Sequence, residues 1–166
     1  MNALGFEERH DIVISKADKE HQHQDHLDRY RFAAQFTQDA KVLDIACGTG
    51  YGSRLLVEEG SASFVWGVDV CEDAITRARQ HTKGIQAVEY LQGDGKNIPL
   101  DSECVDVCVS LETIEHIPAV EASAFVSEVA RVMRNDGVFV ISTPRNDSQN
   151  RFHPENPFHL REYNLE

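Results

Sequence analysis

Apolar positions along the chain change period several times, and each change marks an element. The first 20 residues are charged and aperiodic, which predicts a loosely docked N-terminal arm over about residues 1–23. From about Gln24 to Phe36, the residues Leu27, Tyr30, Phe32, Ala33, Ala34 and Phe36 suggest an amphipathic helix. Alternation then begins. Short apolar runs at 41–46, 64–69, 86–91, 105–110 and 138–142 read as five strands. Helices are expected at about 51–59, 72–81 and 119–133. The turn-rich stretch Gly93-Asp-Gly-Lys-Asn-Ile-Pro99 replaces a helix after the third strand, and Arg134-Asn-Asp-Gly137 reads as a turn into the fifth. From Thr143 onward the chain reads as loop.

Strands that are apolar on both faces and alternate with helices specify a parallel sheet covered on both sides. Right-handed crossovers then give an α/β, doubly wound, Rossmann-like sheet with ligands at the carboxyl ends of its strands. Composition agrees. The 166 residues, 41% of them hydrophobic, can fill one core, and no apolar run approaches membrane-spanning length. The N-terminus lacks the basic and apolar regions of a secretory signal. The formal charge of -12 is spread along the chain with no basic stripe, which argues against nucleic acid as a partner. Cys47, Cys71, Cys104 and Cys108 form no Cys-x-x-Cys pair and read as small hydrophobes inside elements, as expected of a reducing cytoplasm.

The loop after the first strand, Asp44-Ile-Ala-Cys-Gly48-Thr-Gly50-Tyr-Gly52, lets the backbone turn sharply beside a helix N-terminus. Its spacing is Gly-x-Gly-x-Gly, which counts against a dinucleotide pyrophosphate site. Asp69 ends the second strand, where a carboxylate can accept from both hydroxyls of a ribose. Asp94 follows the third strand at the same sheet edge, and for an adenosine ligand it could accept from the exocyclic amine. Any one of these acids, taken alone, could instead be a helix cap. Together they point to a nucleoside-type site.

In combination, Val42-Leu-Asp-Ile-Ala-Cys-Gly-Thr-Gly-Tyr-Gly52, Gly67-Val-Asp69, Gly93-Asp94 and Arg134-Asn-Asp-Gly137 resemble the class I S-adenosylmethionine-dependent methyltransferases over about residues 24–145. The resemblance implies that Ala46, Cys47, Gly48, Thr49 and Gly50 line the methionine portion of S-adenosyl-L-methionine. It also implies that Asp69 holds the ribose, Val70 packs on adenine, and Asp94 with Gly95 reads the adenine edge. Leu111 belongs to the same expected cofactor set. Ala46 stands where many members carry glycine. Tyr30 matches an aromatic that closes over the cofactor, or is simply a core residue of its helix.

Methyl transfer to oxygen needs alignment and a route for the proton, through a base or a metal. The candidates follow the fourth strand, in Ser110-Leu-Glu112-Thr-Ile-Glu115-His116. If that segment is one helical turn, Glu112, Glu115 and His116 share a face. On spacing alone, two glutamates at a helix start equally suit its dipole, with His116 on the surface. Glu112-x-x-Glu115-His116, Ser142-Thr-Pro144 and Asn156-Pro-Phe-His159-Leu-Arg-Glu-Tyr163 are similar to metal-dependent O-methyltransferases of two kinds, small-RNA terminal 2′-O and ubiquinone-biosynthesis. That resemblance implies a divalent metal (Mg, Mn or Zn) on Glu112, Glu115, His116 and His159. The same segment offers His116 and Glu112 as catalytic groups. His21, His23 and His26 read as solvated, His153 as an alternative to His159, and Arg145, Arg151 and Arg161 as exposed loop residues.

The expected activity is O-methylation of a small-molecule or glycan hydroxyl, such as a vicinal diol. The alternatives are a non-catalytic or truncated cofactor-binding module and an adenosine-binding dehydrogenase. The resemblance also implies seven strands in the order 3-2-1-4-5-7-6. This chain supplies five, in the order 3-2-1-4-5, and reads as a domain over 24–166 that lacks the C-terminal hairpin strands 6 and 7. The fifth strand is then an apolar edge, to be covered by a homodimer partner, by residues 143–166, or by nothing in a fragment.

Overall fold

A computed structural model describes residues 16–144, 159–161 and 163, with side chains from residue 24 onward. The elements are α1 (Lys16–Ala34), β1 (Lys41–Ile45), α2 (Tyr51–Glu58), β2 (Phe64–Asp69), α3 (Glu72–His81), β3 (Val88–Gln92), β4 (Val105–Leu111), α4 (Ala119–Val132) and β5 (Met133–Ser142). A single 3-10 turn, Ile114–His116, lies between β4 and α4. The five strands run parallel, as the alternation of apolar runs predicts, in the order β3-β2-β1-β4-β5 that the methyltransferase resemblance implies.

The pleat of the central strand divides the core. Val42 of β1 faces α1 and α2 with Tyr30, Ala33, Leu55, Leu56, Val65 and Val107. Leu43 and Ile45 face the other way, onto Phe125, Val129 and Val132 of α4. Helices therefore cover both faces. This explains why β1 and β4 are buried almost throughout, and why their sequences do not alternate.

Two boundaries differ from those the sequence pattern suggests. Helix α1 begins at Lys16 rather than near residue 24, so part of the expected arm is helical. Its first half has no apolar stripe to betray it, yet Ala, Lys, Glu and Gln are good helix formers. Residues 1–15 lie outside the described residues. Strand β5 starts at Met133, and the expected turn at 134–137 is instead an irregularity within it. Val105 pairs with Met133 and Val107 with Val138, so the intervening residues bulge. Arg134 secures the bulge through an ion pair with Asp106.

Gly52, inside α2, sits where the ring of Tyr30 crosses the helix, and a Cβ there would overlap the ring. Replacing glycine by alanine inside a helix ordinarily stabilises by about 0.5–1 kcal/mol. Here the sign reverses: Gly52→Ala is expected to destabilise by roughly 1–3 kcal/mol through overpacking. Urea denaturation monitored by circular dichroism checks this, and an unchanged or raised midpoint would show that Tyr30 is free to move.

Candidate functional site

The carboxyl ends of β1, β2, β3 and β4 surround a cavity of about 660 Å³, within the usual range for small-molecule sites. Its floor begins where β1 ends. Ala46 and Gly48 adopt left-handed φ of 60° and 54°, which turn the loop tightly. A left-handed residue favours glycine, so Ala46 carries modest strain at this position. Gly50, φ 80°, closes the turn at the N-cap of α2. It lies behind the cavity, and a Cβ there would also collide with Ala78. The other expected cofactor residues, Tyr30, Ala46, Cys47, Gly48, Thr49, Asp69, Val70, Asp94, Gly95 and Leu111, all line the cavity.

Asp69 ties the two nearest loops together. Its carboxylate accepts from the backbone N–H of Gly48 at 2.8 Å and of Cys71 at 2.9 Å. Val70 beside it is 68% exposed, a large aliphatic surface left open to the cavity. Asp94 accepts from the Lys96 N–H at 2.9 Å, and the Lys96 ammonium lies 3.5 Å from its second oxygen. Lys96 also meets Glu121 of α4 at 2.5 Å. Gly95 is forced by packing, since a Cβ would come within 2.7 Å of the Phe125 ring.

Behind the floor, Asp44 is 1% exposed. It accepts from the Ser53 hydroxyl at 2.6 Å and from the Tyr30 hydroxyl at 3.0 Å. Burial pushes its carboxyl up to about 6, while the bonds from Ser53 and Tyr30 oppose that rise and the charge of Asp69 adds to it. Burial likewise raises the Tyr30 hydroxyl and the Cys47 thiol well above their ordinary values, so both stay neutral.

The segment after β4 is not one helical turn. Glu112 has a left-handed φ of 52° and precedes the 3-10 turn that carries Glu115 and His116. Its carboxylate accepts from the Ser142 hydroxyl at 2.7 Å and pairs with Arg29 of α1 at 3.2 Å. Glu115, His116 and His159 do come together, with one ligand atom of each within 4.8 Å of the others. Glu112 is outside that group. Glu115 is fully buried, accepts from the Thr143 hydroxyl at 3.0 Å on one oxygen, and has no hydrogen-bond partner on the other among the described residues. Burial raises its carboxyl above the ordinary value. The backbone N–H groups of Leu160 and Arg161 donate to the Glu115 carbonyl, which docks the His159 segment here. The His116 and His159 rings pack edge to face with centroids 5.1 Å apart.

Several residues have other places than the sequence suggests. His26 is half-buried in the cavity wall rather than solvated, with Nδ1 hydrogen-bonded to the Tyr51 hydroxyl. Its spacing of four from Tyr30, one turn along a shared helix face, was the available signal. Asp44 was visible as a lone acid within an apolar run, which calls for buried partners. Only Cys108 lies within a strand; Cys47, Cys71 and Cys104 adjoin elements, and all four are free thiols. The Arg161 guanidinium stacks 5.1 Å from the Tyr163 ring centroid. Arg145, Arg151 and His153 lie outside the described residues, as do the side chains of His21 and His23. Among the described residues, no helix is long and apolar enough to cross a membrane.

A family model described as a methyltransferase domain matches residues 43–141. A probable S-adenosylmethionine-dependent methyltransferase of Mycolicibacterium smegmatis is 38% identical over 125 residues, covering 74% of this chain and 46% of its own length. A fatty-acid O-methyltransferase of the same organism is 27% identical over 134 residues, covering 81% of this chain and 48% of its own. The crystal structure of the YcgJ protein of Bacillus subtilis matches with a TM-score of 0.70 at 25% identity, over 86% of this chain and 64% of that one. The chain spans about half the length of these curated relatives.

The raised carboxyl of Asp44 has a definite sign in folding. The folded chain holds that proton more tightly than the unfolded chain, whose aspartate titrates near 3.8. The stabilisation is therefore complete below pH 3.8 and is lost as pH rises through about 6. Asp44→Asn should abolish that loss, which amounts to about 3 kcal/mol at most. Urea midpoints of both proteins between pH 4 and 7 check this, and parallel pH profiles would contradict it.

Proposed function

The chain belongs to the methyltransferase-domain family, and from that premise we propose that it is an S-adenosylmethionine-dependent methyltransferase acting on a hydroxyl of a small-molecule or glycan acceptor. The observation that carries this reading is the continuity of one cavity. The Ala46–Thr49 loop, Asp69, Asp94, Glu112, Thr113 and His116 all open onto the same space. A cofactor and an acceptor can therefore meet there.

Each residue has a task in that reading. Asp69 keeps lone pairs free for ribose hydroxyls while its other bonds hold the loops that flank it. Val70 gives adenine an apolar face, and Asp94 accepts from the exocyclic amine. Ala46 to Thr49, Tyr30 and Leu111 surround the methionine portion. S-adenosylmethionine, when bound, would supply a methyl group on a sulfonium, whose C–S bond would break as the acceptor oxygen took the methyl, and the acceptor must shed a proton. His116 takes that proton, and the Glu115 carboxyl, 3.8 Å away, stabilises the imidazolium. Glu112, held by Arg29 and Ser142, orients the acceptor hydroxyl.

A divalent ion is the second reading, favoured by the convergence of Glu115, His116 and His159 and by a Glu115 oxygen that takes no hydrogen bond among the described residues. Two imidazoles and one carboxylate suit Zn or Mn better than Mg, which prefers oxygen ligands. An ion there would act as a Lewis acid on acceptor oxygens, with His116 a ligand rather than the proton acceptor.

Calorimetric titration with S-adenosylmethionine is expected to show one site, and Asp69→Ala to weaken it roughly 10–100-fold, the value of charged hydrogen bonds. A folded protein that binds none would overturn the reading. Metal analysis of wild type against His159→Ala decides the second reading: metal present and then lost supports it. If neither protein carries metal and chelators leave methyl transfer unchanged, the ion is dropped. A labelled methyl donor offered with sugars, catechols and nucleosides identifies the acceptor.

A further inference from the structure

Two consecutive carbonyls of the loop after β1 are held from behind. The Gly50 carbonyl accepts from the Tyr90 hydroxyl at 3.1 Å, besides the backbone N–H of Arg54. The Thr49 carbonyl lies 3.1 Å from Nδ1 of His81, a bond in which that nitrogen carries the proton and donates. Tyr90 belongs to β3, and His81 ends α3. Neither borders the cavity that Cys47, Gly48 and Thr49 line, so the two bonds draw these carbonyls away from it. Ala46, Gly48 and Gly50 all hold left-handed φ, and glycine at two of them leaves the loop free to relax into other shapes. Bonds from outside the loop select one.

Tyr90 reaches the loop because two glycines make room for it. It stands beside Gly67 of β2, which stands in turn beside Asp44 of β1. A Cβ on Gly67 would come within 2.4 Å of the Tyr90 ring, and one on Gly50 within 2.4 Å of its hydroxyl. The ring therefore lies across β2, packed with Cys47, Ile75 and Ala78, and the hydroxyl ends behind the turn. Arg79 of α3 fixes the backbone there, donating to the Tyr90 carbonyl at 2.7 Å. Burial pushes the hydroxyl up to about 12, against the hydroxyls of Ser53 and Thr82, so the phenol stays a neutral donor. A phenylalanine would fill the same space. What the hydroxyl adds is a donor for the turn.

We propose that Tyr90 and His81 are positioning residues for the methyl donor: by fixing the Gly50 and Thr49 carbonyls, they hold the loop in the shape that receives the donor's methionine portion. Neither residue touches the ligand; both act through the loop. The inference rests on the reading of the cavity as an S-adenosylmethionine site. Its consequence is a division within one ligand. Loss of either bond is felt by the methionine half, while the adenosine half, which falls to Asp69, Val70 and Asp94 in that reading, keeps its contacts.

The test measures S-adenosylmethionine by calorimetry, and adenosine, which lacks the methionine portion, by displacement of S-adenosylmethionine. Tyr90→Phe keeps the ring and is expected to weaken S-adenosylmethionine roughly three- to tenfold, the worth of one hydrogen bond, with adenosine held within about twofold. His81→Ala should weaken S-adenosylmethionine roughly threefold. His81→Asn, whose amide offers a donor near the place of Nδ1, should restore it to within about 1.5-fold of wild type. An equal loss for both ligands, or no loss for either, means packing alone and overturns the proposal. A His81→Asn loss as large as that of His81→Ala overturns it too, because the donor is then not what matters. Should Tyr90→Phe fail to fold, the exposed His81 and its two variants decide the question with the same pair of ligands. If the folded wild type binds neither ligand, the cavity reading has failed, and this inference with it. If wild type binds both and the variants lose both alike, this inference alone falls.

Discussion

Asp44 is a carboxylate with almost no access to water, and the site is arranged around the cost of keeping it there. A buried acid must find donors, and it finds them on two different helices, Tyr30 of α1 and Ser53 of α2. Those two bonds orient both helices about the end of β1. Gly52 admits the Tyr30 ring, Tyr30 places Tyr51 and His26, and the loop from Ala46 to Gly50 turns directly above the carboxylate. Remove the acid, and α1 keeps only the pair of Arg29 with Glu112 and the bond of His26 to Tyr51, both nearer the helix surface, to fix how it lies on the sheet. Apolar packing of Tyr30, Ala33 and Leu55 would still bury the helix, but would not choose its rotation as sharply.

The second organising feature is the pairing of charge around the cavity. Carboxylates outnumber cations there, and each cation sits on an acid. Arg29 joins α1 to the end of β4 through Glu112, and Lys96 joins the loop after β3 to α4 through Glu121. These pairs bridge elements distant in sequence, so they close the cavity at two corners as well as balancing charge. Just behind the cavity wall, the buried Glu115 has one oxygen without a hydrogen bond among the described residues, beside two imidazoles, an arrangement that costs free energy unless a proton or an ion completes it.

Much of this was legible in the residues. The parallel arrangement followed from apolar runs buried on both faces, because a strand covered on both sides cannot alternate, while the strand order came with the methyltransferase resemblance. The glycine loop, Asp69 and Asp94 were legible for the same reason: in such a sheet, whatever follows a strand points to one edge. The start of α1 was hidden, since a polar helix has the composition of a solvated arm. So was the bulge in β5, where Arg134 and Asp106 decide a register that no local pattern encodes. At the site, Glu112 looked like a partner of Glu115 and His116 on helical spacing. Its left-handed backbone turned it toward Arg29 and Ser142 instead, a choice made by long-range contacts. His26 was missed because a surface histidine and one packed on two tyrosines read alike until the helix is docked.

The central claim is that loops at four strand ends and one face of α1 form a single cofactor site. Hydrogen–deuterium exchange with and without S-adenosylmethionine tests it directly. The account predicts slowed exchange at the amides of Cys47–Gly50, Val70–Cys71, Asp94–Asn97 and Glu112–Thr113, with added protection on α1 around His26–Tyr30. Protection confined to other surfaces, such as the open groove between α3 and β3 near Lys83 and Glu89, would contradict it.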